Sequence, residues 1–238
     1  MQEERKMDTK KYRRDLLLGA LGALLMTVGD LSLSIIPASD SDGGLYLREA
    51  YMNGSFGLWR PVLLLATGLI GMFFYSFGIR AMHDQIRPEC RRLRALVKYG
   101  GIGYLCTGAA LHFFIGTLSY WVTVLSQEFG RETAVRLVDS YYGSFMPAAA
   151  IAYPMIALPL IASFAAVVSG KTVMPKKTAL FHVLTWQVIL AAVPDIRHLI
   201  FGGIITADYV MSQSSGNAAA VIMFVSCFVW ASGNEDKL

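Results

Sequence analysis

Four ionisable side chains lie inside long apolar runs of this chain: Asp30, His112, Asp195 and His198. An ionisable group is costly to hold in hydrocarbon, so each is a candidate for function. A carboxylate beside an imidazole can exchange a proton, attract a cation or, with further ligands, hold a metal. Two uncharged residues, Tyr153 and Asn217, fall at similar depth in other runs and add a hydroxyl and an amide for orienting a ligand.

Asp30 stands in Gly29-Asp30-Leu31-Ser32-Leu33-Ser34, and helical spacing places Gly19, Ala23, Thr27, Asp30 and Ser34 on one stripe. A small and polar stripe suits close helix packing, so Asp30 is expected to face the bundle interior. His112 shares a second such stripe with Gly101, Gly108, Gly116 and Ser119. Asp195 and His198 follow Pro194 and share a helix face, with Arg197 pointing elsewhere. Each has a plainer reading: His112 as an interhelical hydrogen bond, Asp195 as a partner of Arg197 or His198. Asp30 has no basic neighbour on its own helix. Arg80 and His83, at a helix end, are explained by snorkelling. His182 starts the fifth run on roughly the opposite face from Asp195. All three stay outside the candidate site.

The elements that must position these residues are written in the hydropathy. Of 238 residues, 55% are hydrophobic and 16% charged, against about 25% charged in soluble domains. Mean hydropathy is +0.48. The apolar residues gather in runs of about 20, the length that crosses roughly 30 Å of hydrocarbon as a helix. Six runs stand out, at 16–36, 61–81, 100–125, 145–169, 180–206 and 209–231. They predict an all-α, polytopic six-helix transmembrane bundle forming a single membrane domain over 1–238. Pro147, Pro154 and Pro159 should kink the fourth helix and Pro194 the fifth. The first run is longer than a signal-peptide core and is read as a retained helix.

Basic residues orient the bundle. The amino-terminal head carries Arg5, Lys6, Lys10, Lys11, Arg13 and Arg14; the loop after the second run carries Arg80, Arg87, Arg91, Arg92, Arg94 and Lys98. Lys171, Lys176, Lys177 and Lys237 fall on the same side, while Arg48, Arg60, Arg131 and Arg136 fall opposite. Both termini are therefore expected in the cytoplasm. The net charge of +4 serves orientation against the lipid bilayer, and no nucleic-acid partner is expected. Cys90, Cys106 and Cys227 lack metal-ligand spacing and read as reduced thiols.

Two outer loops are long enough to be structured. In 127–144, Ala134, Leu137, Val138 and Tyr141 recur at helical spacing, which predicts a short amphipathic helix on the outer membrane surface. The loop 38–60 carries Tyr46, Tyr51, Phe56 and Trp59, read as an aromatic anchor at the interface in preference to a lid. There is no internal repeat, and no zincin, nucleophile-elbow, P-loop or Cys-x-x-Cys motif. Gly100-Gly101-Ile102-Gly103 lacks the preceding strand of a dinucleotide site and reads as helix packing.

Gly29-Asp30 in the first helix, His112 in the third and Met174-Pro175-Lys176 before the fifth together resemble an uncharacterised family of small, six-helix bacterial membrane proteins. The family has no assigned activity; the resemblance implies the bacterial inner membrane.

Depth can be read from position along each run. Asp30, Tyr153, Asp195, His198 and Asn217 all fall on the outer side of the midplane, with His112 just below. One polar cavity open to the outer side would explain this, and so would unrelated interhelical hydrogen bonds. The first functional reading is binding or transport of a small, amphipathic or cationic molecule from the outer side, with Asp30 and Asp195 supplying negative charge, His112 or His198 a titratable group, and Tyr153 and Asn217 orienting the ligand. The alternative is an intramembrane enzyme on a lipid-like ligand, either metal-dependent through Asp30, His112, Asp195 and His198 or working by acid and base alone. A third is a structural subunit of a membrane complex. The residues name no cofactor, and six helices permit a monomer or a homo-oligomer.

Overall fold

The structure, a computed structural model, describes residues 8–37, 39, 42, 47–192 and 207–234. Among these the chain is all-α, with one isolated bridge between Ile86 and Thr172. Helix α1 spans Thr9–Ser34, α2 Glu49–Met52, α3 Trp59–Asp84, α4 Arg91–Phe129, α5 Arg131–Ala150 and α6 Ala152–Val168. A 3-10 turn, Lys176–Phe181, leads into α7, Val183–Ala192, and α8 covers Ala207–Ser232.

Several helices outrun their apolar runs. α1 begins seven residues before Leu16 because Asp8 caps it, its side chain accepting from the Lys11 amide at 3.1 Å. Its far end is closed by Arg60 of α3, whose Nη1 donates to the Ser32 and Ile35 carbonyls at 3.0 and 2.7 Å. Those carbonyls have no partner within their own helix. α4 has 39 residues, about 58 Å at helical rise and nearly twice the hydrocarbon thickness. Arg91, Arg92, Arg94 and Lys98, expected in a loop, form its first turns. It stops at Gly130, whose φ of 81° suits glycine.

Two regions differ from the expected helices. The fourth run is not one kinked helix: α5 runs unbroken from the predicted amphipathic segment to Ala150, then bends by 45° into α6. Pro154 explains the position, because its ring excludes a bond to the Ala150 carbonyl and collides with it. The fifth run begins with a 3-10 turn at 176–181, so its α-helix starts at Val183 rather than Leu180. It is described as far as Ala192, and the predicted kink at Pro194 lies outside the described residues. Among the described residues four helices (α1, α3, α4 and α8) are long and apolar enough to cross a membrane, or five if α5 and α6 form one bent span.

Packing sets the helix order. α1 and α3 lie antiparallel in close contact. A Cβ on Gly22 would strike the backbone of Gly71 and Tyr75, one on Gly19 the backbone of Gly78, and one on Gly29 the Thr67 hydroxyl. Where lipid tails surround helices they supply no hydrophobic drive between them, and such close backbone approach then contributes to cohesion. From this pair the circuit of neighbours continues as α6–α4–α3–α1–α8–α7. At one end, loop 85–90 is knitted to loop 171–175 by Arg87 N–H to the Lys171 carbonyl (3.0 Å) and Val173 N–H to the Gln85 carbonyl (2.9 Å). Apolar residues such as Leu17, Leu24, Ile70 and Phe73 face outward, as lipid contact requires.

At the other end the segment around α2 folds back as a cap. Tyr51 and Phe56 are fully buried in an apolar core with Leu118, Val122 and Val138. The Tyr51 hydroxyl donates to the Leu33 carbonyl at 3.2 Å. The aromatic-anchor reading is therefore corrected for Tyr51 and Phe56, which bury against protein; Trp59, 60% exposed, keeps the position of an anchor. Tyr46 lies outside the described residues. Asp42 organises the cap by accepting from the Ser39 and Glu49 amides and pairing with Arg48 at 3.2 Å, while Glu49 pairs with Arg131 of α5 at 2.6 Å. On α5, Ala134 and Val138 pack inward, whereas Leu137 and Tyr141 are exposed. Its apolar arc is thus shared between protein and surroundings.

Candidate functional site

The helix circuit lines a partly open cavity of about 250 Å³ near the cap. Asp30, four residues before the end of α1, is buried in its wall. Asn217 on α8 donates from Nδ2 to Asp30 Oδ2 at 2.7 Å. His112, buried on α4, brings Nδ1 to 3.8 Å from Asp30 Oδ1, beyond hydrogen-bond range. Room for the imidazole comes from Gly68 of α3, where a Cβ would lie 2.7 Å from the His112 Cβ and Cγ. Gly108, on the same α4 stripe, admits Met72 in the same way.

Four of the six residues chosen from sequence thus line one space: Asp30, His112, Tyr153 and Asn217. Tyr153 stands at the first turn of α6, beside the 45° bend, and is 58% exposed. Asp195 and His198 lie outside the described residues. The stripe around Asp30 is buried at Gly19, Ala23 and Ser34, but Met26 takes the inward place next to half-buried Thr27.

Two polar lining residues escaped the sequence reading. Tyr104 of α4 stacks on Tyr75 of α3 with ring centroids 5.0 Å apart, and Tyr75 meets Phe224 edge-on at 5.3 Å. It lies two turns before His112 on a stripe already in view, so spacing could have found it. Gln187 of α7 faces the cavity close to Gly216; its signal was a single amide within an apolar run. The described lining holds one carboxylate and no lysine or arginine. Among the described residues no three His, Cys, Asp or Glu side chains come together as a metal site.

Two further polar contacts lie away from the cavity. Arg80 does not simply snorkel: it clamps Asp15, buried to 1% exposure, through Nε and Nη2 at 2.6 Å each. His182 is buried against Ser163, Nε2 to Oγ at 2.9 Å, and its Nδ1 accepts the Leu184 amide at 3.2 Å. With Nδ1 accepting, neutral His182 donates through Nε2, so it cannot take a proton from Ser163. It caps α7.

Fold and site define an all-α protein with four to five apolar helices, consistent with multi-pass contact with a lipid bilayer. The chain belongs to a family of unknown function, DUF6796, whose model matches residues 7–233. Comparison with curated proteins and with solved structures yields no match.

Proposed function

We propose that this protein is a six-helix membrane protein, a single domain over 1–238 with both termini in the cytoplasm of a bacterium, that binds or transports a small molecule in the cavity around Asp30. The carrying observation is the convergence of Asp30, Asn217 and His112 from three helices on one space, with the 2.7 Å Asp30–Asn217 bond and the 3.8 Å approach of His112. Asp30 supplies the negative charge, Asn217 holds its orientation, His112 is a group that can carry a proton, and Tyr153 orients the ligand at the rim. Asp195 and His198 stay candidates on sequence grounds. The basic residues of α1, α4 and loop 171–177 support a cytoplasmic position for that end, with the cap outside.

The Asp30–His112 approach also favours a second reading, an acid–base enzyme acting on a lipid-like substrate. Native mass spectrometry with elemental analysis of the detergent-purified protein tests the first reading, comparing wild type with Asp30→Asn and His112→Ala. A co-purifying small molecule lost in either variant is the expected result. An empty wild type, with both variants unchanged in mass and stability, would leave the polar groups as helix-packing contacts and sink the proposal. Turnover of a bound lipid-like molecule into a product of altered mass would favour the enzyme.

A further inference from the structure

We propose that the cavity takes a single-chain amphiphile with a cationic or hydrogen-bond-donating head, admitted from the bilayer through the seam between α6 and α7. This rests on the binding reading above and names its ligand class.

The helix circuit closes only lightly between α6 and α7, where Ser163 and His182 join them at the basic end, and the cavity lies inside it. Toward the cap the space is shut by Leu33 and Leu64, which belong both to its wall and to the buried core containing Tyr51 and Phe56. Toward the basic end it is floored by Tyr104, backed by the stacked Tyr75 and by Phe224. The polar lining residues on the interior helices, Asp30, Tyr104 and His112, are buried, whereas Tyr153 on α6 and Gln187 on α7 are exposed. Among the described residues the open side is therefore the flank of the bundle, which faces lipid in the membrane reading above.

Ligand chemistry follows from charge and size. Asp30 is the one carboxylate of the described lining, and no lysine or arginine there opposes it. An anionic head finds no basic partner there, whereas an ammonium head favours the carboxylate form of Asp30 and gains a charge-assisted bond. The volume of about 250 Å³ falls below the roughly 300 Å³ at which pockets for drug-sized molecules begin. It holds a head and leaves an alkyl tail outside, along Met155 and Leu158 of α6 and Val188 of α7, all exposed.

The test uses the full chain in phosphatidylcholine nanodiscs, with dodecylamine carrying a diazirine in its tail as photolabel and the matching dodecanoic acid as control. The amine is expected to label peptides covering 152–161 and 183–188. The acid should label these about tenfold less, the factor that corresponds to roughly 1.4 kcal/mol. Asp30→Asn should lower amine labelling by a similar factor. Gln187→Trp, a change at an exposed site that spares the core, should obstruct the seam and lower it too. Labelling spread over other exposed faces, such as Leu17, Leu24 and Phe73, and unchanged in both variants would overturn the inference. If propylamine binds as tightly as dodecylamine and depends on Asp30, the head arrives through water: binding survives and the bilayer route falls. If neither amine depends on Asp30, the binding reading falls as well.

Discussion

The Asp30 carboxylate of α1 accepts a 2.7 Å hydrogen bond from the Asn217 amide of α8, across 187 positions of sequence. The bond ties the first helix to the last at the depth of the cavity and leaves Oδ1 turned to His112. Removing the donor should cost stability even without ligand. Asn217→Ala leaves a buried acceptor unmatched and is expected to destabilise by about 1–3 kcal/mol. Asn217→Asp, which opposes two carboxylates, should cost more. Thermal unfolding in detergent reads both; an unchanged midpoint for Asn217→Asp would mean that the two side chains are not in contact.

The Asp15–Arg80 clamp gives a sharper loss. Arg80→Ala leaves the buried Asp15 carboxylate with only Arg14, at 3.4 Å, with an expected cost of about 3 kcal/mol, the lower end for buried pairs because Arg80 is partly exposed and Arg14 remains. Asp15→Asn with Arg80→Gln in one chain should recover much of it. A double variant no better than Arg80→Ala, by unfolding midpoint, would show that the pair's charges are not what matters.

Close approach of α1 and α3 predicts that Gly22→Val destabilises by about 1–3 kcal/mol, since the added atoms meet backbone and no side chain can yield. Gly143→Ala is the control, with open space around it on α5, and should be neutral or stabilising by up to about 1 kcal/mol. Equal midpoints for the two variants would contradict the packing.

Tyr51 and Trp59 separate a buried cap from an interfacial anchor. Tyr51→Ala should cost about 3–5 kcal/mol, as for a buried aromatic, and Tyr51→Phe about 1 kcal/mol through the lost bond to Leu33. Trp59→Ala should change unfolding by no more than about 0.5 kcal/mol. The reverse ranking would return Tyr51 to the lipid interface.

His182 is predicted to act as a cap and not as a base. His182→Ala should lower stability by about 1 kcal/mol and leave amphiphile labelling unaltered relative to folded protein. Labelling lost in a variant that unfolds like wild type would instead bring His182 into the site.

What was legible in the sequence follows the range of each interaction. Apolar run length located the spans of α1, α3, α4 and α8, and helical periodicity put Asp30 and His112 on buried faces, because both are local properties. Depth could be read for Tyr153 and Asn217, but adjacency could not: that Asn217 faces Asp30 depends on α8 packing against α1. The same limit hid Asp15, whose partner Arg80 stands 65 positions away. Loop 38–60 reads in sequence as an interfacial anchor because its aromatics stand among Gly, Ser and Asp residues that lower its hydropathy. Its burial depends on Leu118, Val122 and Val138, which no window along the chain contains. Prolines announced a bend in the fourth run, yet three of them left its place undecided; only Pro154 breaks the helix.

The protein has two apolar cores of different physical kind. The Gly-lined contact of α1 with α3 depends on fit between surfaces that lipid could otherwise cover, whereas the cap core of Tyr51, Phe56 and Val138 gathers beside a helix too long for the hydrocarbon and depends on exclusion of water. Urea and cold weaken the second kind of cohesion more than the first. The molecule should therefore melt in two stages, the cap loosening under chaotropes while the bundle stays assembled, so that a single unfolding free energy would describe neither part.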